Sequence, residues 1–282
     1  MPTAKEIVRK FCDLKTLPHV AIRLTQLVNS EESTMRDFEE IIKLDPILVT
    51  RLLRLVNSPY FGLANKVESI AKAVVYCGMK NLRNLVAVEA IKDLFKEKGD
   101  DPVFSRRHLW LHCATISILS DMIGKRIFGL AGDDLFLAGI IHDIGLIVED
   151  QVVGDLLHEA CKAYNPPNNS LVKCEQEVIG TDHCEVGMLL AKEWKMPEEV
   201  LKAIRFHHNT EKKNPISSVT SILQLAEYIA GKMKYSAIPD KIDPLYPLLV
   251  RHIKNMMGNY KLIVRDLPAE MAKAKELYEN NE

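Results

Sequence analysis

The chain lacks several features that would have settled its class at once. No apolar run approaches the roughly 20 residues a membrane span needs, which excludes an integral helical membrane protein and predicts no membrane partner. The opening MPTAKEIVRKFCDL carries charges throughout at helical spacing, so it does not read as a secretory signal. The six cysteines, Cys12, Cys77, Cys113, Cys161, Cys174 and Cys184, are scattered without a C-x-x-C pair. That spacing argues against a disulfide framework and is read as free, buried thiols in a reducing, cytoplasmic setting. Excess charge of one sign is missing too, with 37 basic against 38 acidic residues. A balanced chain has no general electrostatic drive toward nucleic acid, and none is expected as a partner. Internal repeats, low-complexity tracts and convincing strands are also absent; Leu262–Val264 in KLIVRD is the best strand candidate.

What is present is helical periodicity. Val20, Leu24, Leu27 and Val28 repeat at i, i+4, i+7 and i+8, and Leu48, Leu52, Leu55 and Val56 repeat the pattern. Start signals agree with it. Asp45 precedes Pro46, a fit for an N-cap followed by proline at the first helical position. Thr34 and Asp37 approximate a capping box. Ser69 opens a helix that Gly78 ends, and Pro197 begins another. The fold class is therefore all-α. Breaks at Lys98–Pro102 and at Tyr235–Pro247 divide it into an N-terminal helical lobe over 1–100, a helical core over 101–235 and a C-terminal helical tail over 236–282.

The core segment holds an ordered series of polar side chains on helices that otherwise read apolar: His112, His142, Asp143, His183, His207, His208 and Glu227. Imidazole and carboxylate are ligands for Fe, Mn and Zn, and one or two such divalent ions per chain would suit the set. Each member also has a plainer reading. His142-Asp143 interrupts an apolar helix, and burying a carboxylate is costly unless something compensates it; a metal would do so, as would a hydrogen-bonded pair within the core. His183 falls in a first turn capped by Thr181 or Asp182, and its alternative reading is a first-turn His facing solvent. Gly187, four residues on, lies on the same face and lets another helix or a ligand come close. His207 and His208 end a helix, where either would interact favourably with the C-terminal dipole; neighbours diverge by about 100°, so the two are assigned different roles. Glu227 sits at the edge of an apolar face and points either inward or to solvent. His108 shares a helix face with His112, a weak pair on its own.

Two longer stretches carry a family likeness. One is DPILVTRLLRLVNSPYFGL with the surrounding helices; the other joins WLHCA, FLAGIIHDIGL and IGTDHCEVGMLLAKEWKMPEEVLKAIRFHH. Over about Leu14 to Ala230 the chain resembles the HDOD domain, a bacterial signalling and regulatory module related to the HD phosphohydrolase superfamily. The resemblance implies an N-terminal helical lobe packed on an HD-like helical core and a part in signal transduction. It also places His112 at the first metal-binding His of the superfamily, His142-Asp143 at the doublet, and His183, His207 and His208 at the later histidines. Glu227 stands where an Asp is usual. Two departures bear on hydrolysis. HD-GYP enzymes commonly follow the doublet motif with a lysine, where this chain has Leu146, and their GYP segment has no counterpart in IVEDQVVGDLLHEA.

Three functions remain open: a regulatory module that binds a metal or small ligand and acts through a protein partner; a metal-dependent phosphohydrolase acting on a nucleotide or cyclic dinucleotide; and a scaffold with a vestigial site. For the first, Arg51, Arg54, Tyr60 and Phe61 form a candidate partner-binding surface, since Pro59 forces a turn that presents two aromatics near two arginines. Tyr60 and Phe61 would alternatively plug the junction of the two lobes.

Overall fold

The computed structural model describes residues 1–14, 34–43, 45–59, 61–96, 103–130, 133–165, 168–211, 214–238 and 244–274. Among these the chain is helical and forms no strand. The periodic segment around Val20–Val28, the break at 98–102 and Tyr60 lie outside the described residues. No described helix is long and apolar enough to cross a membrane.

Contacts group the chain into two compact units, Met1–Lys15 with Phe95–Asp266, and Thr16–Leu94 with Leu267–Glu282. The second unit contains α2 (Met35–Ile42), α3 (Pro46–Val56), α4 (Ile70–Cys77) and α5 (Met79–Lys92). Local chemistry sets their ends. Thr34 and Asp37 close a full capping box on α2, the Asp45 carboxylate accepts from Leu48 N–H at 3.0 Å, and Ser69 caps α4, which ends at Gly78. Helix α3 packs on α4 and α5, burying Leu48, Leu52, Leu55 and Val56. Beyond α3, the Asn57 side chain accepts from Val67 N–H at 2.7 Å and donates to the Leu53 and Val67 carbonyls. It thereby ties the end of α3 to Val67. Arg51 and Arg54 are exposed and Phe61 is half-buried. Arg51 also lies 3.4 Å from Glu89 of α5.

The first unit contains α1 (Ala4–Leu14), α6 (Arg106–Ile123), α7 (Asp133–Ile141), α8 (Ile144–Ala163), α9 (Leu171–Val178), α10 (His183–Glu193), α11 (Glu198–Phe206), α12 (Val219–Lys232) and α13 (Pro247–Asn255). Helix α6 pairs with α7 and α12; α8 pairs with α9 and α10; α11 bridges α10, α7 and α12; α1 covers α8 and α10. Side-chain caps recur: Ser105 on α6, Ser170 on α9, Asp182 on α10 and Ser218 on α12 each accept from a backbone N–H of the first turn.

Two expectations need correcting. Leu262–Val264 is not a strand but lies within the helix α14 (Met257–Lys273). Its β-branched residues suit a strand by propensity, but the flanking Tyr260, Ile263 and Leu267 recur at helical spacing and are buried. The His142-Asp143 pair does not interrupt one helix; it occupies the break between α7 and α8. Five of the cysteines are buried free thiols, and Cys12 is half-buried.

Candidate metal centre

The break between α7 and α8 is what lets one carboxylate face four imidazoles. Asp143 adopts φ −97° and ψ 15°, in the sparsely populated bridge region where many active-site residues sit. Two glycines bring the supporting helices together. A Cβ on Gly139 would lie 2.4 Å from the Ser117 Cα, so α7 reaches α6 closely enough to bring His142 beside His112. A Cβ on Gly145 would lie 2.0 Å from the His183 carbonyl oxygen, so the start of α8 abuts the start of α10. Gly187 completes that approach, facing the Gly145 backbone and the Ile204 side chain.

The result is a buried centre with two halves around Asp143. On one side His112 Nε2 and His142 Nε2 lie 3.5 and 3.3 Å from Asp143 Oδ2. On the other, His183 Nε2 and His207 Nε2 lie 3.5 and 3.3 Å from Asp143 Oδ1. Glu227 joins the first half, its Oε1 standing 3.0 Å from His112 Nε2 and 2.8 Å from His142 Nε2. His208 joins the second. It is half-buried, and its ring centroid lies 3.9 Å from that of His207 and 5.1 Å from that of His183. The structure thus brings together all seven candidate residues. His108 is exposed and falls outside the clusters of donor atoms.

Each ring's other nitrogen fixes its orientation. His112 Nδ1 donates to the Tyr235 carbonyl at 2.7 Å, His142 Nδ1 to the Gly139 carbonyl at 2.8 Å, and His207 Nδ1 to the Ile204 carbonyl at 2.7 Å. His183 Nδ1 donates to Glu175, 2.7 Å away. A carbonyl only accepts, so in His112, His142 and His207 Nδ1 carries a proton, and in all four rings Nε2 is the nitrogen turned toward Asp143. Tying the far nitrogen to a carbonyl or carboxylate is how proteins orient metal-binding imidazoles.

The donor set fits a metal on two further counts. His207 Nε2 is buried and, among the described residues, meets the geometry of no hydrogen bond even to the Asp143 carboxylate 3.3 Å away, so with Nδ1 protonated its lone pair is available to an ion. In the first half, His112 Nε2 lies 3.2 Å from His142 Nε2, near the roughly 3.3 Å separation of two nitrogens bound tetrahedrally to one zinc-sized ion. The electrostatics show the same demand for a cation. Burial would depress the His142 imidazole, but Asp143 and Glu227 outweigh it and raise it to about 10. Burial would raise Glu227, yet His112 and His142 hold it well below the usual carboxylate range. Burial, with His208 beside it, pushes His207 down to about 3. So the first half holds a proton where positive charge is needed, while His207 stays neutral and ready to ligate.

Three contributors were not apparent from the sequence. Glu175 anchors His183 from α9; it sits four residues after the buried Leu171 on the same helix face, a placement that hinted at an inward carboxylate. Glu149 of α8 is also wholly buried, and burial together with the nearby Glu175 raises its carboxyl well above the usual range. Cys184, next to His183, has its Sγ 3.5 Å from His183 Nε2. A cavity of about 440 Å³ opens beside the second half, lined by Cys184 and His208 along with Arg205, Asn209, Thr210 and the first residues of α9.

A family profile for the HDOD domain matches residues 14–210, well over half of the chain. The chain belongs to the HDOD domain family. An HDOD domain protein of unknown function from Geobacter sulfurreducens is 25% identical in its crystal structure, with a TM-score of 0.73 and coverage of 96% of this chain and 97% of that one. A Shewanella amazonensis protein named provisionally as a phosphohydrolase is 27% identical, with a TM-score of 0.72 and the same coverage. Among curated proteins, an uncharacterized protein of Treponema pallidum (strain Nichols) is 26% identical over 246 residues, 84% of this chain and 46% of its own length. Ribonuclease Y of Finegoldia magna is 25% identical over 218 residues, 73% of this chain and 40% of that protein. The chain spans less than half the length of these curated relatives.

Proposed function

We propose that this HDOD protein is a regulatory module of bacterial signal transduction that holds a divalent transition metal in the buried centre and acts through a protein partner. The observation that carries the reading is the convergence of four Nε2 atoms on Asp143, each ring oriented by an acceptor at Nδ1. His112, His142 and Glu227 would hold one ion, His183 and His207 a second, with Asp143 between them and His208 at the cavity edge. Iron, manganese and zinc all suit this mixture of imidazole and carboxylate. A bound ion would supply Lewis acidity toward a phosphate oxygen. The chain's own residues orient the donors, exclude water from the first half, and leave the second half open to the cavity.

That cavity favours a second reading, hydrolysis of a nucleotide or cyclic dinucleotide, because a small phosphorylated ligand could enter beside His208 and Arg205. Leu146 weighs against efficient turnover. It stands where HD-GYP enzymes carry a lysine, and its side chain is wholly buried, so no cation from that position neutralises a phosphate as charge develops. One experiment addresses both readings. Purified protein should carry at least about one transition-metal ion per chain, and His142→Ala with Asp143→Ala should remove it and lower the melting temperature. Added Mn or Fe should yield little hydrolysis of nucleotides or cyclic dinucleotides. Protein that holds no metal and is unchanged by the double replacement refutes the metal centre; fast hydrolysis abolished by Asp143→Ala promotes the enzyme.

A further inference from the structure

We propose that Cys184 is itself a metal ligand, and that the second half of the centre is a thiolate site selective for a thiophilic divalent ion such as zinc. This rests on the metal-binding reading and divides its two halves by chemistry.

Among the described residues, the donor cluster of the first half is His112, His142 and Glu227, all nitrogen and oxygen. The second is different: His183, Cys184, His207 and His208 each place a donor atom within 4.8 Å of the other three. The Cys184 Sγ lies 3.5 Å from His183 Nε2. Two donors bound tetrahedrally to one zinc, with Zn–S near 2.3 Å and Zn–N near 2.0–2.1 Å, stand about 3.5 Å apart. The thiol is therefore already at the separation that shared ligation requires, and it is only 2% exposed. It belongs to the second residue of α10, just after the Asp182 cap. Burial pushes the thiol up, so the arriving ion itself displaces the proton.

Ligation needs no oxidant. The S–H bond breaks, the proton leaves to solvent, and sulfur forms its bond to the ion with the electron pair it retains. Thiolate donors favour zinc, whereas carboxylate and imidazole also accept manganese and iron. The two halves are thus matched to different ions. The neighbouring Cys113 is the rival sulfur. It is buried close to Asp143 and Glu227, on the side of the first half, and falls outside the four-donor cluster.

The test uses the full chain loaded with zinc or cobalt. X-ray absorption of the zinc-loaded wild type should reveal a sulfur scatterer at about 2.3 Å, a measurement that needs no variant to fold. Cobalt-loaded wild type should show a near-ultraviolet thiolate-to-cobalt charge-transfer band. Cys184→Ser should abolish that band and weaken zinc retention by about 10–100-fold or more, the loss that follows when only a supporting residue of a metal ligand is removed; Cys113→Ser should keep the band. Metal bound through nitrogen and oxygen alone overturns the proposal while sparing the metal centre. A band that survives Cys184→Ser and disappears in Cys113→Ser overturns it as well. A chain that takes up neither ion overturns this assignment together with the reading beneath it.

Discussion

Gly145→Ala is the most direct perturbation of the packing that builds the centre. The new methyl carbon would sit 2.0 Å from the His183 carbonyl oxygen, 2.7 Å from its carbonyl carbon and 2.8 Å from its Cα. All three are backbone atoms, so no rotamer change relieves the clash. Normal contact lies near 3.5 Å, so the start of α10 must move from α8 by roughly 1.5 Å. Overpacking of this kind costs about 1–3 kcal/mol, and a clash against backbone belongs at the upper end. A change of 1 kcal/mol moves the midpoint by about 2–4 °C in a domain of 150–250 residues, which gives a loss of about 6–12 °C. Asp143 lies two residues before the glycine and His183 carries the opposing carbonyl, so metal content should fall in the same variant. Differential scanning fluorimetry with elemental analysis reads both effects. Gly154→Ala is the control from the same helix, because its Cβ would meet nothing closer than 4.0 Å; its midpoint should hold or rise slightly. A Gly145→Ala protein with wild-type melting and metal content would refute the close approach of α8 and α10.

Three further outcomes are expected. Glu149 is buried and makes no hydrogen bond among the described residues, and burial keeps its carboxyl protonated well above the ordinary value of 4.5. Above that value the unfolded chain binds fewer protons at this position than the folded one, so Glu149 makes stability fall with rising pH, by up to about 1.4 kcal/mol per unit. Glu149→Gln should remove this component, and denaturant titrations from pH 5 to 8 that show equal slopes for both proteins would contradict it. Glu175→Gln leaves His183 without its anionic acceptor and should weaken metal retention by about 10–100-fold, read by competition with a chelator. In the second unit, Arg51, Arg54 and Phe61 are proposed as the partner surface: Arg54→Ala should change stability by less than about 0.5 kcal/mol yet weaken capture of a regulatory partner, whereas a large melting loss for Phe61→Ala with both arginine variants silent would remove this surface.

Much of the fold was legible because helices announce their ends. The Thr34 box, the Asp45-Pro46 start and the Ser69-to-Gly78 span were readable from side chains that cap their own backbone, and such bonds are local. The misreading at Leu262–Val264 has the opposite origin. Three β-branched or branched residues in a row carry a strand preference worth little against the burial of Tyr260, Ile263 and Leu267 on one helical stripe. The break at His142-Asp143 was hidden because Ile140, Ile141, Ile144 and Leu146 are all buried; a helix buried on every side and two helices meeting end to end give the same apolar run.

The site was legible as a set of residue types and illegible as a mechanism of orientation. Histidines and carboxylates on apolar helices betray themselves, since burying them is costly without compensation. What aims them does not. Three of the four Nδ1 acceptors are backbone carbonyls, of Tyr235, Gly139 and Ile204, and every residue has one. Tyr235 is 123 positions from His112, so only the folded packing of α6 against α12 brings its carbonyl to the ring. The two glycines were equally mute, because a glycine needed for close approach looks like one tolerated in a helix. Their effect is nonetheless decisive for the chemistry: Gly139 sets His142 against His112, and Gly145 sets Asp143 against His183. A chain with every donor retained and either glycine enlarged would keep the motif and lose the centre, which is why the donors alone are a weaker sign of metal binding than the donors together with the small residues between them.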